Sequence, residues 1–184
     1  WHKTYGLPVL VTNCSNNYGP WQFPEKLIPV VILKAIAGKP IPIYGNGKNI
    51  RDWLHVEDHI DALLLTLAKG EIGKTYCIGG SNERTNLEVV TSICNTMDEK
   101  LRNNFSYSEL INMVQDRPGH DLRYSIDASL IRSELAWFPR NEFHNGLSST
   151  IDWYLDNLEW CKNVLTNASY NSQRLGLMNS YSSN

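Results

Sequence analysis

The sequence is short of the features that mark the specialised classes of protein. With 17 basic and 19 acidic residues its formal net charge is only -2. No global field gathers nucleic acid or an anionic membrane, so an anionic ligand has to be held locally. No apolar run approaches the ~20 residues of a membrane span. The four cysteines, Cys14, Cys77, Cys94 and Cys161, lack the paired spacing of a zinc site or a disulfide scaffold, and read as free thiols of a reducing cytoplasm. The first residue is Trp1 rather than Met, and Trp1-His2-Lys3-Thr4-Tyr5-Gly6 reads as the last turn of a helix whose beginning is missing. Gly6 stands at the left-handed terminating position and Pro8 prevents continuation.

What is present suits one domain with a real core: 184 residues, 42% apolar. Pro8 to Thr12 is a continuous apolar run, expected to form a strand buried on both faces of a parallel sheet. Asn13 to Phe23 is rich in Asn, Ser, Gly and Pro and reads as the loop leaving that strand, where ligand sites of open parallel sheets lie. A helix is expected from Pro24, carrying Leu27, Ile28, Val31, Ile32 and Ala35 inward and ending at Gly38. Ile41-Pro42-Ile43-Tyr44 reads as an edge strand, because Pro42 cannot donate to a central ladder. A strand from Ile50 to Val56 precedes a helix with Glu57 and Asp58 in its first turn, running through Ala62, Leu63 and Leu67 to Gly70. Further along come a strand at Thr75 to Ile78, a capping box at Thr85-Asn86-Leu87-Glu88 opening a helix to about Asp98, and a strand at Arg123 to Ile126. Asp127 is placed to cap a short helix ending near Trp137, and a last helix is expected after Gly146. From about Thr166 the composition turns to Ser, Asn and Gly, as in a frayed tail. The order of elements is α/β.

Three clusters carry chemistry. Ser15-Asn16-Asn17-Tyr18-Gly19-Pro20, followed by Phe23-Pro24-Glu25-Lys26-Leu27, sets two adjacent carboxamides with donors and acceptors in opposite directions, as a loop between two ligands requires; a plain polar turn is the alternative. Lys26, near the positive end of a helix, is placed to meet phosphate. In the second cluster Arg51 lies among apolar residues and needs an anionic partner, either Asp52 or a bound diphosphate. His55 and His59 stand four apart, but the helix is expected to start after His55 and no third ligand is evident, so no metal is expected. The third, Gln115-Asp116-Arg117-Pro118-Gly119-His120-Asp121, is a loop able to close on an anion through Arg117 and His120. Each charge-assisted contact would contribute on the order of 1.5–3 kcal/mol. An Arg117–Asp121 pair is the alternative there. All three clusters point to a phosphate-bearing ligand.

In order and spacing, these segments closely resemble the dTDP-glucose 4,6-dehydratases, a branch of the extended short-chain dehydrogenase/reductase family. The resemblance covers about residues 1–165, with 166–184 left as a flexible tail. It implies the C-terminal part of a Rossmann-type parallel sheet joined to a small mixed α/β substrate-binding lobe. The reaction it implies converts dTDP-glucose, or a similar nucleotide sugar, to the 4-keto-6-deoxy sugar plus water on tightly held NAD. Asn17 would then approach NAD, and Asn16 the sugar nucleotide. Lys26 and Leu27 would line the cleft, with Pro42, Ile43 and Tyr44 flanking the thymidine. Arg51 and Arg117 would neutralise the diphosphate, and Asn86 and His120 would complete the pocket. A homodimeric parent enzyme is also implied, with no nucleic-acid or membrane partner.

The departures matter equally. In the family the glycine-rich phosphate loop, the Thr-Asp-Glu acid/base set and the Tyr-x-x-x-Lys pair all precede the equivalent of Trp1. Tyr5 has no lysine four residues on, and Gly45-Asn46-Gly47 lacks the following glycine and the buried strand of a dinucleotide fingerprint. The expectation is a truncated chain with no catalytic residues and no turnover of its own. A non-catalytic nucleotide-sugar-binding protein, or a related sugar-nucleotide epimerase or decarboxylase, stands as the alternative.

Overall fold

The computed structural model describes residues 1–167. The opening helix α1 (His2–Tyr5) closes at Gly6, whose φ of 67° is the expected left-handed cap. Strand β1 (Val11–Cys14) follows, and after the single residue Ser15 comes β2 (Asn16–Tyr18). Helix α2 (Leu27–Ile36), β3 (Ile41–Tyr44), β4 (Ile50–His55) and α3 (Val56–Lys69) come next, then β5 (Thr75–Ile78), β6 (Glu83–Thr85) and α4 (Asn86–Leu101). A 3-10 turn (Tyr107–Leu110) leads to β7 (Ile111–Val114), β8 (Arg123–Tyr124), α5 (Ser129–Leu135), α6 (Phe143–Asp156) and α7 (Leu158–Asn167).

Pairing sorts the strands into small groups. β1 lies parallel to β5. β2 lies parallel to β4, which also pairs antiparallel with β6 and parallel with β8. β3 lies parallel to β7. The expected α/β fold, parallel sheet plus mixed lobe, is therefore present. The larger core packs α2, α4 and α6 over β3 and includes Ile28, Ile32, Ile93, Met97, Leu147 and Ile151; the smaller gathers Leu54, Ala62, Tyr76, Ile78, Ile131 and Trp137.

Several boundaries and orientations differ from expectation. β1 begins three residues later than Pro8, and it is not buried on both faces: Val11 is 49% exposed. Among the described residues β1 pairs only with β5, and the apolar run contributes Leu10 to the smaller core. The segment read as loop contains β2, which has a ladder partner in β4. α2 starts at Leu27 rather than Pro24, because the N–H groups of Glu25 and Lys26 both donate to the Phe23 carbonyl and form a turn. Pro29 then falls in the first helical turn, where a missing N–H leaves no bond unmade. α6 starts before Gly146, not after it. A Cβ at Gly146 would stand 2.5 Å from Tyr18 Oη, so the bare backbone is what lets α6 lie against β2. β7 was not anticipated. The tail expected from Thr166 lies outside the described residues, apart from its first two positions, which close α7.

Candidate functional site

Two strands set the walls of the main cleft by alternation. Along β3, Ile41 and Ile43 are buried in the core, whereas Pro42 and Tyr44 line a cleft of about 580 Å³. Ile43, expected to flank a ligand, therefore turns its side chain the other way. Along β4, Arg51 and Trp53 line the same cleft, and Asp52 turns to the opposite face. There the buried Asp52 carboxylate accepts the N–H groups of Gly80 at 2.9 Å and Asn82 at 2.7 Å, so it stabilises a loop and is no partner for Arg51.

Arg51 is held by two backbone carbonyls, donating to Ile50 at 2.7 Å and to Asp121 at 3.0 Å. Its positive charge meets no carboxylate in an ion pair among the described residues. Burial lowers its pKa first, the Asp121 charge opposes that, and the Arg117 charge adds to it. Arg117 lines the same cleft. Asp121 gives its backbone carbonyl to Asn49 as well as to Arg51, and no Arg117–Asp121 ion pair forms among the described residues.

The loop bearing Arg117 is braced by its own acid. Asp116 Oδ1 lies 2.7 Å from His120 Nδ1 and accepts the Arg117 N–H at 2.8 Å. The bond to His120, more than any other contact, holds the Asp116 carboxyl below its ordinary range. Gly45, at φ 59°, packs against this acid so closely that a Cβ would lie 2.9 Å from Asp116 Oδ2. The expected Thr85–Glu88 capping box opens α4. The Asn86 and Leu87 N–H groups donate to the Asn49 and Gly47 carbonyls, which presents Asn86 to the cleft beside His120.

A smaller cleft of about 310 Å³ adjoins the first and shares Asn16, Leu27 and Trp53 with it. Asn17, Gln22 and Lys26 complete its lining. Lys26 is paired with Glu25 at 2.9 Å, and both side chains remain open to solvent. Asn17 is the most constrained residue here: Nδ2 donates to the Ser15 carbonyl at 2.9 Å, Oδ1 lies 2.8 Å from His59 Nδ1, and the backbone carbonyl accepts Gln22 Nε2 at 2.8 Å. Burial lowers the His59 pKa. Gln22 is itself held, its carbonyl accepting the Tyr154 hydroxyl at 2.6 Å. Next to it Trp21, at φ 65°, meets Trp153 and Trp160 with ring centroids 4.8 and 5.2 Å away.

Of the residues singled out from the sequence, Asn16, Leu27, Pro42, Tyr44, Arg51, Asn86, Arg117 and His120 meet in the larger cleft. Asn17 and Lys26 meet in the smaller one, and Ile43 meets neither. Sequence reasoning missed Trp53, Lys34 and Lys39, which also line the larger cleft. Trp53 was recoverable, standing two residues from Arg51 on one face of β4. Lys34 falls seven residues after Leu27, on the same helical face. The indole N–H of Trp53 is buried without a partner among the described residues. Such a site can hold an elongated ligand by its anionic middle.

The chain matches the family model described as GDP-mannose 4,6 dehydratase over residues 1–150. It is 56% identical over 182 residues to a dTDP-glucose 4,6-dehydratase of Escherichia coli, covering 97% of this chain and 50% of that protein. A Neisseria meningitidis dTDP-glucose 4,6-dehydratase is 56% identical over 180 residues, covering 96% of this chain and 50% of its own length. Among solved structures, the Bacillus anthracis dTDP-glucose 4,6-dehydratase in complex with NAD superposes with a TM-score of 0.80 at 48% identity, over 89% of this chain and 50% of that one. The NAD-bound enzyme of Streptomyces venezuelae gives 0.79 at 42% identity, over 89% and 48%. The chain spans about half the length of the curated relatives it matches.

Proposed function

Because the chain belongs to the GDP-mannose 4,6 dehydratase family, we propose that it forms the nucleotide-sugar-gripping half of a dTDP-glucose 4,6-dehydratase, the enzyme that yields dTDP-4-keto-6-deoxyglucose and water. The observation that carries this reading is the convergence of Arg51 and Arg117, from β4 and a separate loop, on one cleft with no acid in an ion pair with either among the described residues. A diphosphate there would satisfy both cations, and His120, held in place by Asp116, would supply a further donor. Pro42 and Tyr44 form an apolar shelf suited to a flat pyrimidine, and Asn16, where the two clefts meet, suits the sugar.

The cofactor in this reading is NAD, which when bound takes up hydride and later returns it. Asn17 fits a role beside it. After its internal bonds are counted, the carboxamide keeps one N–H and one oxygen lone pair for a ligand. Lys26, shared between Glu25 and solvent, adds a mobile positive charge at the sugar end. These residues bind and orient. They are given no part in proton transfer, and the chain by itself is expected to bind nucleotide sugar without turning it over. A homodimeric, cytoplasmic parent enzyme is part of the same proposal. The four cysteines are free, and no described helix is long and apolar enough to cross a membrane.

Calorimetry with dTDP and dTDP-glucose tests the reading. The chain should bind both, and Arg51→Ala should weaken binding about tenfold or more, the loss of one charge-assisted contact. Equal affinity in the variant would remove the diphosphate role of Arg51. Tighter binding of uridine or guanosine diphosphate sugars would remove the assignment to thymidine.

A further inference from the structure

The proton inventory around Asn17 is fully determined. A backbone carbonyl only accepts, so the Asn17 Nδ2 that lies 2.9 Å from the Ser15 oxygen is a donor, and the opposite end of the amide is its oxygen. That oxygen lies 2.8 Å from His59 Nδ1. An amide oxygen also only accepts, which requires the imidazole proton to sit on Nδ1. Two anchors therefore hold the side chain, one from its own chain and one from α3, 42 residues away in sequence. The backbone carbonyl is held from a third direction by Gln22. With only the Ser15 contact, the amide plane would be free to swing about that one bond.

We propose that His59 is a positioning residue that fixes the plane of the Asn17 carboxamide, and with it the direction of the N–H and lone pair that Asn17 offers the cofactor. The inference rests on the reading of Asn17 as the cofactor-facing residue. His59 itself does not touch the ligand in this account. Its half-buried ring stays neutral near pH 7, because burial lowers its pKa, so it donates to Asn17 without placing a charge there.

The test is nitrogen NMR on the whole 184-residue chain. His59 should show the Nδ1–H tautomer, the less common one for a free imidazole, and the Asn17 side-chain amide should give sharp signals of one fixed orientation. His59→Leu should shift and broaden those signals as the amide plane begins to swing about the Cβ–Cγ bond, and His59→Asn, which returns a donor near the Nδ1 position, should restore them. A purely structural role would not bring back the amide signature with the donor. Finding the Nε2–H tautomer at His59, or Asn17 amide signals unchanged in His59→Leu, overturns the proposal. Added NAD separates the two layers. If NAD shifts other signals of the chain but leaves those of wild-type Asn17 unmoved, the cofactor role of Asn17 falls and takes the proposal with it; if it moves them but the His59→Leu amide is unaltered, only the role of His59 falls.

Discussion

The α2–α4–α6 side of the molecule and the β1–β5–α3 side spend their apolar residues differently. Around the cleft the stripes face inward: Ile28, Ile32, Val89, Ile93, Leu147 and Ile151 are fully enclosed. On α3 the stripe at Ile60, Leu63, Leu64 and Leu67 has the same helical spacing yet faces out, with Leu67 77% exposed. The face that α3 buries is Asp58, Ala62 and Thr66. Asp58 is tolerated there because its two oxygens accept the N–H groups of Arg140 and Asn141, each at 3.0 Å. Leu63 and Leu67, through which the helix was expected to run, are both exposed. The contrast teaches that periodicity identifies an amphipathic helix but does not say which neighbour its stripe is meant for. An exposed stripe of this kind marks a surface that seeks cover.

The contrast breaks or holds on stability measurements. Leu147→Ala should cost about 2–5 kcal/mol, since it empties a site enclosed on all sides; denaturant unfolding that showed less than about 1 kcal/mol would mean the cleft side is loosely packed. A second and smaller effect is expected at the seam between the regions. Buried His55 caps α3 by accepting the Glu57 N–H on Nδ1, and burial lowers its pKa below 6.5, with Glu57 and Asp58 opposing. The folded state then binds fewer protons than the unfolded one in the window between the lowered value and 6.5. The stabilising contribution is complete above pH 6.5 and is lost as pH falls through the window, at no more than about 1.4 kcal/mol per pH unit. Urea melts from pH 7.5 to 5 should show that decline, and His55→Gln should make it shallower; an identical slope in the variant would acquit His55. Least of all should Leu64→Ser with Leu67→Ser change folding, by about 0.5 kcal/mol or less, while reducing self-association in light scattering. A large loss of stability would mean that the α3 stripe is covered after all.

Much of this was legible in the sequence, and the rest was hidden for identifiable reasons. Caps were readable because they are local chemistry: Gly6 and the Thr85–Glu88 box stand where expected, whereas α5 is capped at Ala128, one residue after Asp127, whose carboxylate accepts the Ser129 N–H at 2.9 Å. The edge position of Pro42 was readable for the same reason, as were most of the residues that meet in the two clefts. What failed depended on partners distant in sequence. β2 is only three residues long and is a strand because β4 lies beside it. Gly146 lies inside α6 rather than before it because Tyr18, distant in sequence, leaves no room there for a Cβ, Ile43 turns inward because the core is there, and Asp52 ignores its neighbour Arg51 because alternation carries it to Gly80 and Asn82. The His59 contact with Asn17 spans 42 positions and leaves no local trace.

Ser15 has a last implication. It alone separates a strand laddered to β5 from one laddered to β4, and its own N–H still donates to Ile78. Most surface connections in a protein can be lengthened at small entropic cost. This joint has no slack to lengthen: one residue added or deleted would rotate the following strand by half a pleat and send Asn16 and Asn17 to each other's side. Descendants of this chain that alter what the two clefts recognise are therefore expected to differ here by replacement of side chains, never by a change in spacing.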